Sequence, residues 1–199
     1  MQRTFSYLFA MAWGAVPVLL VWLCLTPWRR KRLAAAGLRS GGTREVTLAL
    51  FGMFCGGMAV ITLLPRWVVS SFIDVANGYR WNAGGYPFFT WGSANFQLFR
   101  TFRGDNWSVY NLLGNVIMFL PFGFFPALLW RKYTWWKALL TGFAVTAFIE
   151  CCQLCVGRAF DVDDLLLNTL GAMLGYGLYR LLKKLAPQFA ARFQAEPIP

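Results

Sequence analysis

Histidine is missing from this chain of 199 residues, and acids are scarce: eight Asp and Glu stand against 19 Lys and Arg. Without an imidazole, zinc peptidase motifs and Ser-His-Asp triads are excluded. Charge as a whole is also low, at 14% of residues, where a soluble domain of this length carries about 25%. Five cysteines are too few for a disulfide scaffold. No internal repeat, low-complexity tract, glycine-rich phosphate loop, nucleophile elbow or ordered metal motif is present. What the chain does have is apolar residues, 58% of the total, which excludes disorder. These quantities describe one compact unit with several membrane spans.

Five stretches are apolar over the roughly 20 residues that a helix needs to cross a hydrocarbon core: 7–28, 46–64, 112–130, 138–156 and 165–182. The first lacks a small-residue cleavage site and is followed by the basic run Arg29, Arg30, Lys31 and Arg32, so it reads as a retained span. The fold class expected is all-α, a polytopic membrane helical bundle of about five spans. The 29–45 and 131–137 loops and the C-terminal end together hold thirteen basic residues. The other side holds Arg3, Arg66, Arg80, Arg100, Arg103 and Arg158. The positive-inside rule then places the N-terminus outside and the C-terminus inside. Anionic headgroups suffice as company for the basic loops, and no nucleic-acid partner is implied. Segment 65–110 is too polar to span and rich in aromatics: Trp67, Tyr79, Trp81, Tyr86, Phe88, Phe89, Trp91, Phe96, Phe99, Phe102 and Trp107. It is expected to lie on or dip into the outer leaflet with short amphipathic helices, as an aromatic belt or a lipid-facing lid. The tail 187–199 reads as loose.

The eight acids are unevenly placed. Four fall within fifteen residues: Glu150, Asp161, Asp163 and Asp164. Acids inside a membrane are costly and need an interior or functional explanation. Glu150 sits roughly 9 Å below the outer end of the fourth span at 1.5 Å per helical residue, and Gln153 shares its face at i+3. Asn111 and Asn115 stand at i, i+4 on the third span, and Asp164 and Asn168 do the same on the fifth. Arg158, Asp161 and Asp163 occupy the bend between the last two spans. All converge at one depth, which points to a polar pocket lined by Asn111, Asn115, Glu150, Gln153, Arg158, Asp161, Asp163, Asp164 and Asn168. The competing explanation is structural: interhelical hydrogen bonds, an ion pair of Arg158 with Asp161 or Asp164, and acids favouring the start of a helix. Gly171 and Gly175 form a GxxxG face with Gly177 nearby, used within the chain or between chains, so the oligomeric state stays open. Pro121, Gly123 and Pro126 predict a kink in the third span.

Three ordered elements carry a family resemblance. Asn111-Leu-Leu-Gly114-Asn115 continuing to Phe119-Leu-Pro121-Phe-Gly123-Phe-Phe-Pro126 is similar to the first signature of the VanZ-like membrane proteins. Glu150-Cys-Cys-Gln153 resembles their E-x-x-Q element. Gly157-Arg158-Ala-Phe160-Asp161-Val-Asp163-Asp164, running on to Asn168 and Gly171, resembles the third. The likeness covers 95–180 well and 46–66 loosely. It implies a single domain over 1–186, with 7–28 as an extra span and 187–199 as a flexible tail. It also implies residence in the bacterial inner (cytoplasmic) membrane as a multi-pass protein. For the namesake it implies raised resistance to teicoplanin, a lipoglycopeptide antibiotic.

Several functions compete for the pocket. In the first, it binds the headgroup of a membrane lipid or a lipid-linked cell-wall precursor, with Arg158, aided by Arg100 or Arg103, on phosphate. Asn111, Asn115, Gln153 and Asn168 would contact neutral polar groups. In the second, it is an enzyme on a lipid headgroup. Glu150 would then act as general acid or base, with Asp161 and Asp164 catalytic and Asp163 beside them able to help hold a hard cation. No cofactor is called for. A third reading, a thiol oxidoreductase at Cys152 and Cys155, lacks a second cysteine pair in 65–110, and buried reduced thiols are the better description. A transporter would need a polar path continuing below the pocket, and none is visible.

Overall fold

A computed structural model of the protein describes residues 2–81, 87–99 and 109–198, apart from the side chains of 2–6, 110 and 111. Tyr86, Arg100, Phe102, Arg103 and Trp107, and the side chain of Asn111, therefore lie outside the described residues. The elements in chain order are α1 (Gln2–Ala35), β1 (Leu38–Arg39), α2 (Gly42–Leu63), α3 (Arg66–Ala76), β2 (Ala94–Asn95), α4 (Val109–Leu129), α5 (Trp135–Cys155), β3 (Phe160–Asp161), α6 (Val162–Leu185), α7 (Pro187–Ala191) and β4 (Glu196–Pro197). Five of the helices, α1, α2, α4, α5 and α6, are long and apolar enough to cross a membrane. The fold is all-α and of the polytopic membrane kind. Contacts divide the chain into two compact units, 1–26 with 49–94 and 149–160, and 27–48 with 95–148 and 161–199.

In the first unit α1 and α2 run antiparallel with glycine facing glycine. A Cβ on Gly14 would strike the Gly56 carbonyl and a Cβ on Gly56 the Gly14 carbonyl, while Val18 packs over Gly52. Small residues let membrane helices approach where lipid supplies no hydrophobic drive. Proline at 65 cannot continue α2 and sits at the N-cap of α3. The short helix expected in the aromatic segment is thus α3, with Val68, Val69 and Ser71 buried. Phe72 on α3 stacks on Trp13 at 5.2 Å and meets Trp81 edge-on at 5.0 Å.

In the second unit α4 and α6 lie parallel, with α5 antiparallel between them in sequence. Cβ atoms on Gly171 and Gly175 would collide with the Val116 and Leu120 carbonyls, and one on Gly123 with the Ala172 carbonyl. Gly142 of α5 abuts Ala172 and Thr169. The buried stripe of α6 is Asp163, Leu167, Asn168, Gly171, Ala172, Gly175 and Tyr179. Its opposite stripe, Leu166, Leu170, Leu174, Leu178 and Leu181, is exposed and faces where acyl chains would lie. Despite Pro121 and Pro126, α4 remains one helix. The carbonyl of Phe122, which Pro126 cannot serve, accepts instead from the Tyr133 hydroxyl at 3.4 Å. Burial pushes the Tyr133 phenol up, so that proton stays in place.

Three expectations are corrected here. The basic run Arg29–Arg32 is not a loop: α1 continues to Ala35, because Arg and Lys are good helix formers, and ends before Gly37 at φ 67°. Arg29 then pairs with the buried Glu45, and Arg44 lies 3.9 Å from the same carboxylate. The tail beyond 186 is not loose. α7 buries Ala190 against Ala127, Leu128 and Tyr179, and β4 pairs antiparallel with β1, an Arg39–Glu196 ion pair of 3.0 Å beside it. The cysteines are free, but Cys24, Cys151 and Cys155 are exposed rather than buried, since the outside of a membrane helix is itself apolar.

Candidate functional site

The residues singled out in the sequence fall into both units, Glu150, Gln153 and Arg158 in the first, and Asn115, Asp161, Asp163, Asp164 and Asn168 in the second.

In the first unit the local architecture is set by the end of α5. Gly157, at φ 73°, turns the chain back, and the carbonyls of Gln153, Leu154 and Cys155 at the end of α5 are each answered. Val156 and Arg158 donate to the Gln153 carbonyl at 3.1 and 2.9 Å, Gly92 to Leu154 at 2.8 Å and Thr90 to Cys155 at 3.0 Å. The extended strap around Thr90 and Gly92 therefore completes the helix end. A Cβ at Gly92 would run into the Arg158 carbonyl, so only glycine fits there. Glu150 and Gln153 do share one face of α5 and are 2% and 8% exposed. The Arg158 guanidinium turns to the end of α2: Nη1 donates to the Ile61 carbonyl at 2.8 Å and the Thr62 carbonyl at 3.2 Å. Gln153 Nε2 donates to Thr62 at 3.3 Å. Two residues expected to contact a ligand thus also cap a helix, placing a cation at the negative end of its dipole.

Beside this bend lies a cavity of about 330 Å3, lined by Arg66, Trp67, Pro65, Pro87, Thr90 and the Val156–Gly157 turn. The Trp67 indole nitrogen is buried and meets no acceptor among the described residues. A second cavity of about 200 Å3 is bounded by Phe89, Thr90, Trp91 and Cys155. In the sequence Arg66 and Trp67 stood out only as an outer cation and a member of the aromatic segment, not as site residues, because polar residues were sought at one depth inside the spans, whereas these two open a helix outside them.

In the second unit the acids cluster at the start of α6, and each accepts from the protein. Asp161 is the N-cap: its Oδ1 accepts from the Asp163 N–H at 3.0 Å and its Oδ2 from Asn95 Nδ2 at 3.1 Å. Asp163, 1% exposed, accepts the Phe99 N–H at 2.6 Å. Phe99 has φ 62°, a strained value for a side-chain-bearing residue, and the buried carboxylate is what holds it there. Asp164 accepts from Asn115 Nδ2, joining α6 to α4. Asn168 donates to Thr146 Oγ1 of α5 at 2.9 Å, while its own Oδ1 is buried without a partner among the described residues. Within this unit α4 and α6 thus meet through Asn115 and Asp164, and α6 and α5 through Asn168 and Thr146, whereas the expected fourth-span members Glu150 and Gln153 belong to the first unit. Thr146 was missed, since a lone threonine in an apolar run carries no signal. A cavity of about 200 Å3 opens beside Asp163, walled by Phe99, Leu166, Leu167 and Leu170. Among the described residues no group of three acids or cysteines is arranged to hold a metal ion.

Comparison with known families matches the model described as VanZ/LLP1 to residues 16–183. No curated protein and no solved structure matches the chain. The match covers α2 through α6 and the polar elements on them, so the chain belongs to the VanZ/LLP1 family.

Proposed function

We propose that this VanZ-family membrane protein binds the phosphate-bearing headgroup of an envelope lipid or a lipid-linked cell-wall precursor. By occupying or altering that headgroup at the outer leaflet of a bacterial inner membrane it lowers susceptibility to lipoglycopeptides such as teicoplanin. The observation that carries the reading is the cavity of about 330 Å3 in the first unit. Arg66 and Trp67 both line it, and the Trp67 indole N–H is buried with no acceptor among the described residues. Phosphate oxygens suit both donors, and an orphaned buried donor is an unfilled hydrogen-bonding requirement. Exposed Phe89 and Trp91 on the neighbouring strap fit the headgroup level of a bilayer.

Gln153 and Arg158 tie the end of α5 to the end of α2 beside this cavity. The catalytic alternative has weaker support: Asp161 and Asp163 accept from Asn95 and Phe99, and Asp164 from Asn115, which suits anchoring of the 95–99 loop and of α4 better than cation binding. The test is teicoplanin susceptibility of a sensitive host expressing wild type, Arg66→Gln or Trp67→Phe, with lipid mass spectrometry alongside. Wild type is expected to raise the inhibitory concentration several-fold and both variants to lose most of that gain at equal expression. Undiminished protection by both variants defeats the proposal, and a new headgroup species made only by wild type turns it into an enzyme.

A further inference from the structure

The opposite end of α6 carries a second, differently charged site. Tyr176, Tyr179, Arg180, Lys183 and Lys184 recur at i, i+3, i+4, i+7 and i+8, which puts them on one face of the helix. That face, with Arg131 and Tyr133 from the α4–α5 turn, walls a cavity of about 600 Å3, within the size range of small-molecule sites. The lining contains four cations and no acid. No ion pair among the described residues engages any of the four, whereas Arg29, Arg39 and Arg44 all meet carboxylates.

The positive-inside rule explains why cations gather at this end of the helices, and the helix dipole favours Lys183 and Lys184 in the last turn. Neither accounts for their convergence on a concavity with a rigid aromatic floor. Tyr179 is buried in a cluster with Ala127, Leu128 and Ala190, against which Tyr133, Tyr176 and Phe193 also pack. The folding back of α7 thus holds the floor in place. The Tyr133 hydroxyl is itself held, donating to the Phe122 and Lys137 carbonyls. One further wall residue, Leu181, is exposed and continues the apolar stripe of Leu178 and Leu174. A ligand with phosphate among the cations would therefore have an apolar track leading away from it, as an acyl chain requires.

We propose that the cavity formed by Arg131, Arg180, Lys183 and Lys184 over the Tyr176–Tyr179 floor binds the headgroup of an anionic phospholipid. Basic pockets between membrane helices are suited to such headgroups. The test is native mass spectrometry of the full-length protein in detergent, titrated separately with phosphatidylglycerol, phosphatidylcholine and inorganic phosphate. Phosphatidylglycerol is expected to be retained at least tenfold better than phosphatidylcholine, and inorganic phosphate to compete only weakly. The combined variant Arg180→Gln, Lys183→Gln, Lys184→Gln is expected to lose about fivefold in retention per cation removed. An equal charge loss on exposed α1 positions, Arg30→Gln, Lys31→Gln and Arg32→Gln, is expected to leave retention within twofold. Equal losses in the two triple variants would reduce the effect to diffuse attraction and overturn the site. Preference for inorganic phosphate over the lipid would overturn the lipid assignment. If the α6 triple variant does not fold, Arg131→Gln, outside the helices, carries the same comparison, and unchanged retention there overturns the proposal.

Discussion

Arg158 has two possible roles that a substitution separates. Its bonds to the Ile61 and Thr62 carbonyls make it a C-cap of α2. Loss of charge-assisted bonds of this kind costs about 2 kcal/mol. Arg158→Met is expected to lower the unfolding temperature in detergent, and Gln153→Ala to do so by less. An unchanged melting temperature together with lost headgroup binding would instead make Arg158 a ligand contact. Asp164 and Asn115 permit a cleaner experiment, because exchanging the two side chains keeps their hydrogen bond. Asp164→Asn is expected to destabilise, and adding Asn115→Asp to restore the melting temperature. Lipid retention that stays low in the restored double variant would show that the carboxylate position matters to a ligand, and full recovery would show that it does not. Both cases explain why residue roles were only half legible. Spacing put Glu150 and Gln153 on one face of a helix, and Asn115 and Asp164 at one depth; the burial of the first pair and the Asn115–Asp164 bond came from the structure. Spacing could not show that Arg158 turns to the backbone of a helix almost a hundred residues earlier in the chain.

At the scale of the elements, glycine sorts into two kinds that look alike in sequence. Gly175 and Gly123 are places where another helix's carbonyl occupies the position of a Cβ, whereas Gly177 has nothing within 4 Å. Gly175→Ala is expected to separate α4 from α6 and abolish recovery of monodisperse protein. Gly177→Ala is expected to stabilise, by up to about 1 kcal/mol, through helix propensity alone. Thermal unfolding of the two variants side by side checks the opposite signs. The GxxxG spacing of Gly171 and Gly175 announced this contact, and the structure places it between α4 and α6 of the same chain. The Gly14–Gly56 contact was not anticipated, because a single glycine in α1 forms no motif by itself. The helix ends moved for a related reason: side-chain charge marks a membrane boundary but does not stop a helix, so α1 runs through its basic residues to the left-handed Gly37.

For the molecule as a whole, the excess of Lys and Arg on one set of connections predicts which way it sits. In a background with the five free cysteines replaced, Ala159→Cys is expected to react with a membrane-impermeant maleimide in intact cells. Ala36→Cys is expected to react only after permeabilisation. The reverse pattern would invert the orientation and place the Arg66 and Trp67 cavity on the cytoplasmic side.

Composition and periodicity alone determined that this is an all-α protein with five helices able to span a membrane. They did so because hydrocarbon forces every backbone group into a helix and every long apolar run to be legible. The ordered polar motifs determined the family for the same reason: an acid or amide inside such a helix is too costly to be incidental. Only the tertiary structure decided which of those polar groups answer other parts of the protein and which are left facing a cavity. Hydrogen-bond partners such as the Ile61 carbonyl, the Phe99 N–H and Thr146 are distant in the chain and carry no side-chain signature that spacing could reveal.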